Sequence, residues 1–202
     1  MIAMGWISGN RYLSLDETDN NAAIIIQIFK GYGWSNNAIC AMVANMRAES
    51  GCNPGVWENL QPYWRGYGLV QWSNPYTKYS DWATAAGFIP WQDNGPAECA
   101  RIEYEATEMH PGDQYYPWFY NAEIGMSPPI SLNDFTISNL PLHDLTNYWL
   151  WFYEHPQDPG PTEQAKRQAY ADRYWNMFFS GTVPAWLICR MAQINQNLFN
   201  RR

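Results

Sequence analysis

The chain has 202 residues and a net charge of −7, with 47% hydrophobic and 15% charged residues. That length fits one domain able to bury a real core, and the balance excludes a disordered chain. An acidic protein whose one basic run is Arg201–Arg202 lacks the surface that displaces counterions from nucleic acid, so no nucleic-acid partner is expected.

Residues 1–19 read as an irregular or strand-like arm. They lack the charged and long apolar regions of a signal peptide, so delivery outside the producing cell would need another route. The acidic run "DETDN" (16–20) has no Gly-centred calcium loop. "NAAIIIQIFKGYG" (21–33) predicts a short helix closed by Gly31 or Gly33. Ser35 then caps a helix from Asn36 to about Ser50. Its stripe of Ile39, Met42, Val43 and Met46 has the i, i+3, i+4, i+7 spacing of a core-facing side. Glu49 stands three residues after Met46 and seven after Met42, so it continues the stripe.

The next segment, 51–75, is rich in Gly, Pro, Asn and aromatic residues and predicts a loop with a small β-hairpin. Helices are expected at 77–86, 95–109, 142–154 and 162–179, with a long irregular connection at 110–134. Pro184 opens a last amphipathic helix, 184–199, with Leu187, Met191, Ile194 and Leu198 in its stripe; it is expected to pack on the domain. No apolar stretch reaches 18 residues, so no membrane span is expected.

The class is mostly α, with a minor β element. The 12 Trp, 14 Tyr and 8 Phe exceed the usual needs of such a core, which suggests rings lining a binding cleft. Cys40, Cys52, Cys99 and Cys189 have no C-x-x-C spacing; they are expected as buried free thiols, although their even number leaves disulfides open. His110, His143 and His155 lie far apart without metal-ligand spacing, so no metal site is expected. No Gly-x-Ser-x-Gly or Cys–His arrangement points to a nucleophilic hydrolase.

Glu49 is the residue that carries chemistry. A carboxylate on an apolar face at a helix C-terminus meets desolvation and the negative end of the dipole, and both disfavour its charged form. A neutral, positioned carboxylic acid can protonate a leaving-group oxygen, as glycoside cleavage requires. A solvated glutamate at a fraying helix end is the alternative on the helix alone.

The flanking motifs decide further. Glu49-Ser50 is followed by "GYGLVQW" (66–72), and the chain resembles the lysozyme and lytic transglycosylase superfamily. More narrowly it resembles the phage tail-type lysozyme family, through "GYGWSNNAICAMVANMRAESGCNPGVWE" (31–58), "GYGLVQWSNPYTKYSDWA" (66–83) and "FYEHPQDPGPTEQAKRQAYADRYW" (152–175). The resemblance covers roughly 20–180 and divides the chain into an arm (1–19), a lysozyme domain (20–180) and a C-terminal extension (181–202). It implies a lysozyme-like α+β fold with the hairpin beside the cleft. It also implies cleavage of the β-1,4 backbone of bacterial peptidoglycan without a cofactor, in a virion tail or an enzyme released from the infected host, with other tail proteins as partners.

Within that resemblance Glu49 takes the catalytic-acid position. Glu58 is the expected second carboxylate, with Asp81 next. Ser50, Tyr67, Gly68, Gln71, Trp72 and Tyr153 are expected at the substrate, while Glu154 is either part of the site or a structural helix-end residue. A product with an anhydro sugar, formed by one glutamate and the substrate's own N-acetyl group, is the alternative outcome. A glycan-binding or structural virion protein without turnover is the competing class. The acidic charge favours an enzyme carried to the wall by a tail over one steered there by basic charge.

Overall fold

A computed structural model describes residues 5–62, 65–155 and 159–181. Seven α-helices are described: α1 (Leu15–Tyr32), α2 (Asn36–Ser50), α3 (Asp81–Ala85), α4 (Gly95–Thr107), α5 (Leu132–Ile137), α6 (Leu142–Trp149) and α7 (Pro161–Phe178). A π-helical turn, Leu150–Glu154, extends α6. The helix expected at 184–199 lies outside the described residues.

Helix α2 runs as read from the sequence, with the Ser35 hydroxyl accepting from Ala38 N–H and Gly51 closing the far end in the left-handed region. Its burial exceeds the stripe: every residue from Ala38 to Met46 is buried. A helix buried all round is a central one. Ala38, Ala41 and Ala44 put little bulk between α2 and the α1, α6 and α7 helices that pack on it.

The first helix begins earlier than expected, at Leu15. Ser14 and Glu17 form a capping box, and "DETDN" is therefore its first turns. Residues 5–14 remain irregular. Asn21 pins them, donating to Ile7 O (2.7 Å) and accepting from Ile7 N (2.9 Å), while Asn53 donates to Gly9 O and Arg11 O.

The β-hairpin expected in 51–75 is reduced, among the described residues, to one antiparallel bridge between Trp57 and Tyr67. The backbone explains this. Positive φ at Cys52, Asn59, Leu60, Gly68, Gln71 and Asn74 turns the chain too often for strands to extend. The 110–134 connection is also less irregular than read, because Ser131 and Asp134 make a second capping box that starts α5.

The aromatic surplus goes largely inward. Trp34, Trp118, Phe135, Trp149 and Phe152 pack together under α6, and Tyr67, Trp72 and Tyr79 form a second group under the 66–72 loop. Cys40, Cys52 and Cys99 are buried free thiols, and Cys189 lies outside the described residues. No helix among the described residues is long and apolar enough to cross a membrane.

Candidate active site

Three elements meet at the end of α2. Glu49 comes from its last turn, Arg167 from the middle of α7 and Glu154 from the π-helical turn. Arg167 Nη2 donates to Glu49 Oε1 at 2.5 Å. The same guanidinium donates from Nη1 to Asn45 Oδ1 (2.8 Å) and from Nε to Glu163 Oε1 (2.9 Å). Asn45, one turn before Glu49, is held in turn by donating to Thr146 O of α6. The Arg167 side chain is 4% exposed and that of Glu49 23%. The arginine is therefore a buried, fixed cation, and the acid at its tip reaches the surface.

This differs from the bare carboxylate that the sequence suggests. The helix dipole and burial are present, but a guanidinium 118 residues away in sequence sits against the acid. Burial acts against the charge on Arg167. Glu49, Glu154 and Glu163 outweigh it, so the arginine stays charged.

Glu154 is the second carboxyl at this junction. Trp149 Nε1 donates to its Oε1 at 2.7 Å, across one π turn. Burial first, and the charge of Glu49 next, push its carboxyl well above the ordinary glutamate range. The turn ends at His155, which adopts the left-handed region immediately before Pro156 in the sequence.

Behind this pair lies a closed polar cluster. Glu105 of α4 accepts from Arg101 Nε (2.8 Å), from Trp72 Nε1 (3.3 Å) and from the Tyr153 hydroxyl (2.5 Å). Tyr153 also stacks on Trp149, with ring centroids 4.1 Å apart. Glu98, two turns earlier on α4, is wholly buried and accepts from Leu69 N at 2.6 Å. Burial holds its carboxyl well above the ordinary value.

The sequence matches the phage tail lysozyme family over residues 20–178, most of the chain. The protein belongs to the phage tail lysozyme family. Morphogenesis protein 1 of Bacillus phage B103 is 34% identical over 195 residues, a span that covers 96% of this chain and 48% of that protein. The chain thus spans about half the length of the curated relative that it matches.

Seen as a phage tail lysozyme domain, its expected site residues separate into two groups. Glu49 stands at the open end of α2. Ser50 does not face outward: its hydroxyl contacts Met46 O (3.0 Å) and Leu69 O (2.8 Å), which ties the helix end to the 66–72 loop. Tyr67 is 1% exposed, and its hydroxyl accepts from Asp93 N–H at 2.7 Å. Trp72 is buried, stacked on Tyr79 and bonded to Glu105. Tyr153 bonds Glu105 and not Glu49.

Gly68 does admit a close neighbour, but that neighbour is protein. With φ at +79°, an added Cβ would lie 2.5 Å from Glu98 Oε2. Gln71 is half-buried and spends its amide N–H groups on Gly68 O (2.9 Å) and Val56 O (3.2 Å). Glu58 is half-buried on the short turn after the Trp57 bridge, and Asp81 is exposed at the start of α3. Among the described residues, Arg167 makes an ion pair with Glu49, and the charge of Glu49 bears on Glu154. Sequence reasoning named Glu154 as an undecided motif member and missed Arg167. The available signal for the arginine was an unusual one: a basic residue on the face of α7 that also carries Ala171, Tyr174 and Phe178. No group of three or more His, Cys, Asp and Glu among the described residues could hold a metal ion.

Proposed function

We propose that this protein is a muramidase, cleaving the β-1,4 bond between N-acetylmuramic acid and N-acetylglucosamine in bacterial peptidoglycan, with Glu49 as general acid. One observation carries the reading: Glu49 is a partly exposed carboxyl at the end of a helix that is buried from Ala38 to Met46, held in one direction by a buried arginine. Fixing an acid this firmly while leaving it open on one side suits proton delivery to a glycosidic oxygen. Membership of the phage tail lysozyme family supports the same chemistry.

Glu58 is the proposed second carboxylate, acting on the opposite side of the sugar ring, and Asp81 is the less favoured one. Gln71 is the proposed contact to an N-acetyl group, through its amide oxygen. Ser50, Tyr67, Gly68, Trp72 and Tyr153 would shape the cleft wall from behind. The reaction uses no cofactor. The proposed setting is a virion tail, where neighbouring tail proteins bring an acidic enzyme to the wall.

The name of the relative, Morphogenesis protein 1, favours a second reading: a part of the assembling virion that binds glycan without turnover. Digestion of purified peptidoglycan by wild type and Glu49→Gln, with mass spectrometry of the soluble products, separates the two. Reducing-end N-acetylmuramic products that vanish in Glu49→Gln are expected. Anhydro products would identify a lytic transglycosylase and remove the need for Glu58. Binding without release from several wall types would favour the structural role.

A further inference from the structure

The short turn after the Trp57 bridge puts two consecutive residues other than glycine in the left-handed region, Asn59 at φ +54° and Leu60 at φ +58°. Asn tolerates that backbone, but a bulky Leu keeps it only where the surrounding structure fixes it. Asn10 of the N-terminal arm supplies the fixing. Its Oδ1 accepts from Trp57 N–H (3.0 Å) and its Nδ2 donates to Leu60 O (3.0 Å), so one amide closes both ends of the turn. Between those ends stands Glu58, whose own N–H donates to Gly66 O at 2.9 Å.

Asn10 is exposed, yet the chain on each side of it is anchored. The wholly buried Asn53 donates through Nδ2 to Gly9 O (2.8 Å) and to Arg11 O (2.7 Å), the residues before and after Asn10. The arm also crosses the loop closely: a Cβ added at Gly55 would lie 2.5 Å from Gly9 N. A little earlier in the arm, the Ser8 hydroxyl donates to Asp93 Oδ1 at 2.5 Å. One path of hydrogen bonds therefore runs from the loop that follows α2, through the arm, to the turn that carries Glu58. The arm residues on this path precede residue 20, where the match to the family begins.

We propose that Asn10 is the positioning residue for Glu58: by closing the 57–60 turn it keeps that carboxyl in one place relative to the end of α2, where Glu49 stands. The inference rests on Glu58 being the second carboxylate. In glycoside cleavage a few ångströms between the two carboxyls decide between direct attack on the sugar and room for a water. A turn free to swing would blur that separation, so holding it serves the chemistry. Asn10 acts through Glu58 and does not touch the sugar.

Two readouts test it. The first is amide NMR, which needs no turnover. In Asn10→Ala the Trp57 N–H should exchange about tenfold faster than in wild type. In Asn10→Asp, whose Oδ1 still accepts, it should stay protected, while the Gln61 N–H, on the Leu60 carbonyl's peptide, should shift in both variants. The second is kcat and KM on soluble peptidoglycan fragments for Asn10→Ala, Glu58→Gln and the two combined. Asn10→Ala should lose about tenfold in kcat with KM within about twofold. In the Glu58→Gln background the same substitution should cost less than about twofold, because the group that it places is gone. A purely structural Asn10 would give the same loss in both backgrounds.

Unchanged Trp57 exchange in Asn10→Ala, an unchanged kcat, or losses that multiply in the combined variant would each overturn the proposal. Full activity in Glu58→Gln would overturn it too, while leaving Glu49 as the acid. Should Asn10→Ala fail to fold, Asn10→Asp, which keeps one of the two bonds, takes its place in the combined variant. Should wild type show no turnover on any wall, the muramidase reading fails. The exchange result then still decides whether Asn10 holds the turn.

Discussion

Two buried arginines each hold a glutamate in this protein, and they do so to different ends. Arg101 and Glu105 lie 2.8 Å apart with side-chain exposures of 5% and 2%. Arg167 and Glu49 lie 2.5 Å apart with exposures of 4% and 23%. The arginines are alike, and so are the distances. What differs is how the acid is used up. Glu105 accepts from Arg101, Trp72 and Tyr153, so both of its oxygens are engaged. Glu49 has Arg167 on one oxygen, and no hydrogen bond among the described residues engages the other. A saturated acid fastens three elements together; an acid held from one side is placed for something outside. Membership of an ion pair therefore says little about role, whereas the lone pairs left over say a good deal.

The sharpest way to break this contrast is to remove each acid. Glu105→Ala strands Arg101, Trp72 and Tyr153 and is expected to cost about 3–5 kcal/mol, a fall in Tm on the order of 10 °C by circular dichroism. Glu49→Gln should leave stability within about 1 kcal/mol, because the pair is partly exposed and glutamine still accepts from Arg167. Its peptidoglycan turnover, in contrast, should fall by about 10²–10⁴-fold. Equal thermal losses for the two variants would erase the distinction.

The pH dependence of stability sharpens it next. Glu98 and Glu105 have folded-state values raised above the unfolded one, by burial in both cases. A group of that kind binds more protons folded than unfolded, so stability is highest at low pH and falls as pH rises from about 4.5 through the folded value. Urea midpoints between pH 5 and pH 8 should decline in wild type. Glu98→Gln should flatten part of that slope while still accepting from Leu69 N–H. An unchanged slope would mean that Glu98 is accommodated as an anion. The smallest effect expected is that of Ser50→Ala, which unties Leu69 O from the end of α2. It should cost about 1 kcal/mol and speed amide exchange at 69–72.

Much of this was legible in the sequence because local rules govern it. Helix α2 and its Ser35 cap follow from spacing and a single hydroxyl, and Glu49 follows from continuing the stripe. The late start expected for α1 is a different case: the Ser14–Glu17 capping box is visible in the sequence, but the reading of 1–19 as an irregular arm cuts across it. The 66–72 loop was identified as important, yet its residues serve the interior. Tyr67 and Trp72 look the same in sequence whether a ring faces a sugar or stacks on Tyr79. Nor could spacing find Arg167, because its place beside Glu49 depends on how α7 packs on α2. Contacts of that range are set by tertiary packing alone.

That range has a consequence in time. Glu49 and its guanidinium are 118 residues apart, on helices that enclose most of the domain between them. At common translation speeds a ribosome adds Arg167 on the order of 10 s after Glu49. Through that interval α2 exists without α7, and the acid has no cation to hold it. The nascent chain is thus without its completed acid–cation arrangement until nearly the whole domain has been made.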